Sequence, residues 1–232
     1  MDRKATRGTK KNFVPLVALV IEWKQNRNDQ RITMQEPLTS PQETYFDKRI
    51  YRPRTLIADL KEMITHMDDL RAAARADRVD RAFAERIMLA VTEVNGCRYC
   101  SYGHTRAALH AGVTKEELRC LKIGDFDSLP DEQRVALLFA QHYAEQGGHP
   151  DPEARERLVA TYGEDTARDI LAYIRMITLG NLLGNTFDAI LSRFAGRPAE
   201  DSSLLSEIAV LLLVVLFVPV GLVIALGSRL KR

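Results

Sequence analysis

In RTLIADLKEMITHMDDLRAAAR, residues 54–75, Leu56, Ile57, Leu60, Met63, Ile64, Met67 and Leu70 recur at steps of three and four. That spacing lines one face of a helix and excludes a strand, whose side chains alternate. The same periodicity continues along the chain. A second helix is expected over about 78–94, with Phe83, Ile87, Val91 and Val94 as its stripe. Asn95-Gly96 then tolerates the left-handed backbone of a helix stop. A third helix starts near Cys97 and ends at Gly112, and Thr114 with Glu117 forms a capping box for a fourth. A fifth covers about 130–146, with a proline in its first turn and Gly147-Gly148 after it. A sixth starts at Pro152 and stops before Gly163, and a seventh runs from about 164 to 195, where Gly-Arg-Pro breaks it. No stretch shows sustained strand alternation between turn residues. The fold class read from this pattern is all-α, with one helical domain over 45–197.

The flanks differ from this domain. Residues 1–44 join a basic start, a nine-residue apolar run (FVPLVALVI) and a polar stretch without periodicity. The charged EWKQNR follows the apolar run at once and leaves no small-residue cleavage site, so the segment reads as a disordered or peripheral arm. At the other end, after a linker at 198–207, residues 208–228 carry no charge over 21 positions. At about 1.5 Å per residue they would extend about 31 Å, the thickness of a bilayer's hydrocarbon core. A single-pass transmembrane helix is therefore expected there, followed by a basic tail at 229–232. The charge bias at its ends would put the tail inside the cell. The weak export signal favours instead a domain facing the cytoplasm.

Composition narrows the function. A formal net charge of +2 over 232 residues gives no basic footprint for nucleic acid. The three cysteines are Cys97, Cys100 and Cys120, too few for a disulfide scaffold. One close pair and one isolated thiol point to chemistry. The pair lies in ERIMLAVTEVNGCRYCSYGH, residues 85–104. On a helix Cys97, Cys100 and His104 fall at about 0°, 300° and 340°, on one narrow face. Cys97 would sit at the helix N-terminus, where the dipole and free N–H groups favour a thiolate. His104, one turn beyond Cys100, is placed to take a thiol proton. Glu85 on the preceding helix could reach the imidazole and orient it. Other readings stay open at this point. The cysteines could ligate zinc with His104 and a stretched Glu85. They could be buried small residues, and Glu93 could replace Glu85 as the orienter. Cys120, His66, His110, His142 and His149 read as ordinary packed or surface residues. Gly180 and Gly184, four apart, read as sites of close helix contact, with Asn181 and Asn185 beside them.

The spacing E-x11-C-x2-C-x3-H, carried by Glu85, Cys97, Cys100 and His104, resembles the signature of the AhpD-like / carboxymuconolactone decarboxylase family. The segments AALHAGVTKEELRCLKIGDFDSLPDEQRVALLFAQ and NLLGNTFDAILSR are similar to that family as well. The resemblance covers about residues 50–195 and implies an AhpD-like helical bundle that assembles as a homo-oligomer, a trimer or hexamer. It implies an alkylhydroperoxidase-type oxidoreductase acting on a hydroperoxide. In it Cys100 attacks the peroxide, Cys97 resolves, His104 relays the proton and Glu85 supports His104. An external dithiol, a lipoyl protein or a thioredoxin-like protein, would be the reductant. No cofactor and no metal is expected, because the sulfurs carry the electrons. The CxxC itself argues against decarboxylase chemistry. Two rivals use the same residues otherwise: a redox sensor or disulfide exchanger acting on a protein partner, and a non-enzymatic membrane-bound scaffold.

Overall fold

The computed structural model of the chain describes residues 46–126 and 129–230, with side chains as far as 217. The expected N-terminal arm lies outside these residues. Eight helices form among them: α1 Pro53–Thr65, α2 Met67–Ala76, α3 Arg81–Asn95, α4 Arg98–His110, α5 Lys115–Ile123, α6 Asp131–Glu145, α7 Pro152–Phe194 and α8 Leu204–Leu230. No strand accompanies them among the described residues; Phe46 and Ala199 form one isolated parallel bridge.

Most helix ends follow from local chemistry. Asp80 caps α3 by accepting the Phe83 N–H at 2.8 Å, and Gly96 ends it at φ 68. The Thr114–Glu117 capping box opens α5, with the Glu117 carboxylate accepting the Thr114 N–H at 2.7 Å. The helix spanning 152–194 is kinked at Gly163, which leaves helical geometry at φ 77 and ψ 164. The break expected there is a kink between two helical segments. The run at 54–75 behaves differently. Its periodicity reads as one helix, yet the backbone breaks at His66 (φ -100, ψ 16). The His66 ring holds Asp69 at 2.8 Å and fastens the start of α2.

Helix α3 is the central element. Phe83–Thr92 is buried without interruption, because α4, α5, α6 and α7 all pack against it. Ile87, Leu89, Val91, Leu137, Ile170 and Ile174 stand at the centre of the larger hydrophobic cluster. Removing one such side chain costs about 2–5 kcal/mol. A second cluster joins Tyr51, Leu56, Leu182 and Val210, with Leu213 and Val214 packed on it.

That second cluster bears on the membrane assignment, which the structure overturns. Among the described residues, no helix is long and apolar enough to cross a membrane. The expected transmembrane helix at 208–228 is thus corrected. With it go the membrane anchor as a partner, the single-pass location and the cytoplasm-facing placement. The physical reason lies in how α8 begins. Val210 is fully buried in the second cluster. Glu207, also fully buried, is clamped by Arg193 through bonds of 2.6 and 3.1 Å. The first apolar residues of the run pack on α1 and α7 of the bundle. A docking face and a lipid-facing segment carry the same composition, so hydropathy alone does not separate them.

A strap, residues 46–52, runs along the C-terminal half of α7 and is pinned repeatedly. Tyr51 N–H donates to Thr186 Oγ1 at 3.0 Å, and Asn185 donates to the Arg49 carbonyl at 3.0 Å. Asn185 also donates to the Asn95 carbonyl at 2.7 Å. The strap, the end of α3 and α7 are thereby joined next to the α3–α4 turn.

Candidate active site

The turn after α3 sets the site. Gly96 takes a left-handed conformation that an L side chain rarely adopts, and this aims Cys97 at the start of α4. Cys97 is the N-cap: its backbone is extended, and its sulfur accepts the Cys100 N–H at 3.3 Å. All three cysteines are free thiols; Cys97 and Cys120 are buried and Cys100 is half-buried. Only 1 % of Cys97 is accessible, so a solvent-borne molecule meets Cys100 first.

The two sulfurs share a proton unequally. Cys97 is drawn down to about 7, first by the S–H of Cys100 donating to it. The backbone N–H groups of Cys100 and Tyr99 and the ammonium of Lys48 act in the same direction, while burial opposes them. Cys100 is pushed far above the usual thiol range because its proton is held by Cys97, because it is buried, and because the Cys97 charge stands beside it. The pair loses its first proton as a unit and places the charge on the helix-capping sulfur.

Glu85 and His104, nineteen residues apart, meet across the α3–α4 pair: His104 Nδ1 lies 2.8 Å from Glu85 Oε2. Glu85 is buried at 5 % accessibility and His104 is half-buried. The contact fixes the ring with Nδ1 on the carboxylate and leaves Nε2 to exchange a proton. Glu93, the other candidate orienter, instead accepts from Ser101 Oγ at 3.2 Å. The structure therefore brings Glu85 to His104 and Cys97 to Cys100. Cys120 stays apart, in the main hydrophobic cluster. Among the described residues, no group of three or more His, Cys, Asp or Glu could hold a metal ion.

Three residues at the site went unread in the sequence as site residues. Gly184 on α7 faces the dithiol: a Cβ built on it would stand 2.7 Å from Cys97 Sγ and 3.8 Å from Cys100 Sγ. The bare backbone makes room for the sulfurs. Asp188, one turn on, gathers Lys48 Nζ at 3.1 Å, the Tyr99 hydroxyl at 3.4 Å and the Arg98 guanidinium. Lys48 lays its stem over Gly96, with its methylenes 3.7–3.8 Å from where a Cβ would be. Tyr99 and Phe187, their rings 6.0 Å apart, form the exposed rim. A separate polar cleft, lined among others by Arg49 of the strap, Asp59, Glu62, Tyr143 and Arg175, includes none of these side chains. Within it Arg175 lies 2.9 Å from Glu62, Arg49 donates to the Ala144 carbonyl and Asp59 accepts from the Tyr51 hydroxyl.

Residues 58–142 match the model of the family described as "Carboxymuconolactone decarboxylase family". A stretch of 117 residues is 26% identical to the uncharacterized protein YdfG of Bacillus subtilis (strain 168), covering 50% of this chain and 80% of that protein. No solved structure matches.

Proposed function

We infer that this chain, whose residues 58–142 match the model of the carboxymuconolactone decarboxylase family, is a peroxidase of the AhpD-like kind that reduces hydroperoxides through a Cys97–Cys100 disulfide cycle. The family includes both AhpD-like peroxidases and decarboxylases. The observation that carries the choice is the hydrogen-bonded dithiol at the start of α4, set beside a histidine held by a buried glutamate.

The chemistry balances without a cofactor. The reduced pair carries one negative charge, and shifting it from Cys97 to Cys100 requires only that the proton cross the S–H···S hydrogen bond. The Cys100 thiolate attacks one peroxide oxygen; the S–O bond forms as the O–O bond breaks. The departing alkoxide takes a proton from His104 Nε2, the general acid that the Glu85 contact orients. Cys100 is then a sulfenic acid. Cys97 gives up the proton it took from Cys100, attacks that sulfur as a thiolate and expels hydroxide, which leaves as water with that same proton. The dithiol has lost two electrons, and the hydroperoxide has become an alcohol and water. An external dithiol restores the pair by exchange. Burial of Cys97 beside Cys100 favours this closure over further oxidation, because the resolving sulfur is already in contact.

Substitution of each cysteine tests the reading. With a small dithiol as reductant, Cys100→Ser should abolish peroxide turnover. Cys97→Ser should consume about one equivalent of peroxide and then stall at the sulfenic acid. Full steady-state activity in both variants would eliminate the mechanism.

A further inference from the structure

Lys48 sits 49 residues before Cys97 in the chain and 140 before Asp188, yet it bridges the two regions. Its stem crosses Gly96, the residue preceding Cys97, and its ammonium ends 3.1 Å from Asp188. We propose that Lys48 is a positioning residue for the dithiol: anchored by Asp188, its ammonium is the fixed cation that keeps the negative charge of the reduced pair on Cys97.

The placement is over-determined. Asn185 holds the strap by the Arg49 carbonyl, one residue after Lys48. Thr186 holds it by the Tyr51 N–H. The strap therefore has little freedom to carry Lys48 elsewhere. Asp188 is largely buried, so its carboxylate needs cationic partners, and it draws both Lys48 and Arg98 to one point. The strap carries Asp47, Lys48, Arg49, Tyr51 and Arg52; Arg49 donates to the Ala144 carbonyl, Tyr51 to Asp59 and Arg52 to the Asp201 carbonyl. Near the dithiol α4 brings Arg98, Tyr99, Cys100 and His104, α7 brings Asp188, and the facing side of α3 brings Glu85 and Glu93, while Arg106 donates to Tyr102 further along α4. Glu85 is engaged with His104 and Glu93 with Ser101. Arg98, with its side chain 58% exposed, points its guanidinium at Asp188 and the Tyr99 hydroxyl. Lys48 is the cation in this set whose charge lowers the Cys97 thiol. With its side chain 26% exposed, the Lys48 ammonium keeps partial contact with water and acts at an effective dielectric well above that of the interior. Its effect is a tuning of the thiolate, smaller than that of the Cys100 hydrogen bond.

This inference deepens the peroxidase reading but is tested without peroxide. The ultraviolet thiolate absorbance of the reduced full-length chain is titrated against pH, with Cys97→Ser identifying the transition that belongs to the pair. Lys48→Met keeps the stem over Gly96 and removes the charge. Its midpoint should rise by about 0.3–0.5 pH unit at low ionic strength. Lys48→Arg should restore the wild-type midpoint. Added salt should move the wild type toward the Lys48→Met value and move the variant less. A purely structural Lys48 would change melting and leave the midpoint alone. If Lys48→Met titrates together with the wild type at low salt, the proposal is overturned. A raised midpoint in a protein inert to peroxide would remove the peroxidase reading and leave this one standing.

Discussion

Gly184 and Cys97 meet where α7 crosses the start of α4, so closely that a single methyl group at position 184 would stand 2.7 Å from the Cys97 sulfur. The sulfur belongs to a short side chain that also caps α4, so it has no flexible end to move aside. Gly184→Ala should force the sulfur out of its capping position at about 1–3 kcal/mol of stability. Thermal melting and thiolate titration of the reduced protein check this together. Both the melting temperature and the thiolate fraction at neutral pH should fall.

His104 and Glu85 divide one task. If His104 moves the proton of the peroxide step, His104→Gln should lower kcat/KM for a hydroperoxide by about 100-fold or more. Glu85→Gln keeps an oxygen near Nδ1 but loses the carboxylate, and should lower it by roughly ten- to a hundredfold. Glu93→Gln, whose contact is with Ser101, should leave the rate within about twofold. Steady-state kinetics on the three variants separates the two candidate carboxylates.

The dithiol also ties stability to pH. Folded Cys97 ionises at about 7, below its ordinary value of 9.0. A group depressed on folding stabilises the native state above its unfolded pKa, and that stabilisation drains away as pH falls through the folded value. The reduced protein should therefore gain in melting temperature over Cys97→Ser on going from about pH 6 to about pH 9. Oxidation to the disulfide should abolish the dependence.

Much of the helical bundle is legible in the sequence. The helices over 78–94 and beyond declare themselves through apolar spacing and through local punctuation: Asn95-Gly96, the Thr114–Glu117 box and Gly163 act within one or two turns. The Glu85, Cys97, Cys100 and His104 set is legible because a helical hairpin places residues at such offsets opposite one another. The break at His66 is not, since the apolar stripe runs through it and only the His66–Asp69 contact marks it. Lys48, Gly184 and Asp188 escape notice for another reason: they reach the dithiol from strap and α7, with 140 residues between Lys48 and Asp188, and such contacts leave no local pattern. The apolar run at 208–228 reads as a membrane span because the contact that discloses how its start docks, between Glu207 and Arg193, is made only through the fold.

That docking makes its own prediction. Glu207 is fully buried and its partner Arg193 keeps some contact with water. Arg193→Met leaves the carboxylate uncompensated and should cost about 3 kcal/mol, with α8 loosened first. Combining it with Glu207→Leu should recover most of the loss. Melting curves together with hydrogen exchange along α8 would show both effects.

The most direct measurement follows the sulfurs themselves. The reduced chain is treated with an equimolar organic hydroperoxide, quenched by alkylation, digested, and analysed by mass spectrometry. The expected result is that the peptide carrying Cys97 and Cys100 loses two hydrogens and takes up no alkyl group, while Cys120 is alkylated as a free thiol once the chain is unfolded. Recovery of Cys97 and Cys100 as two alkylated thiols, with the hydroperoxide unconsumed, would contradict the dithiol cycle.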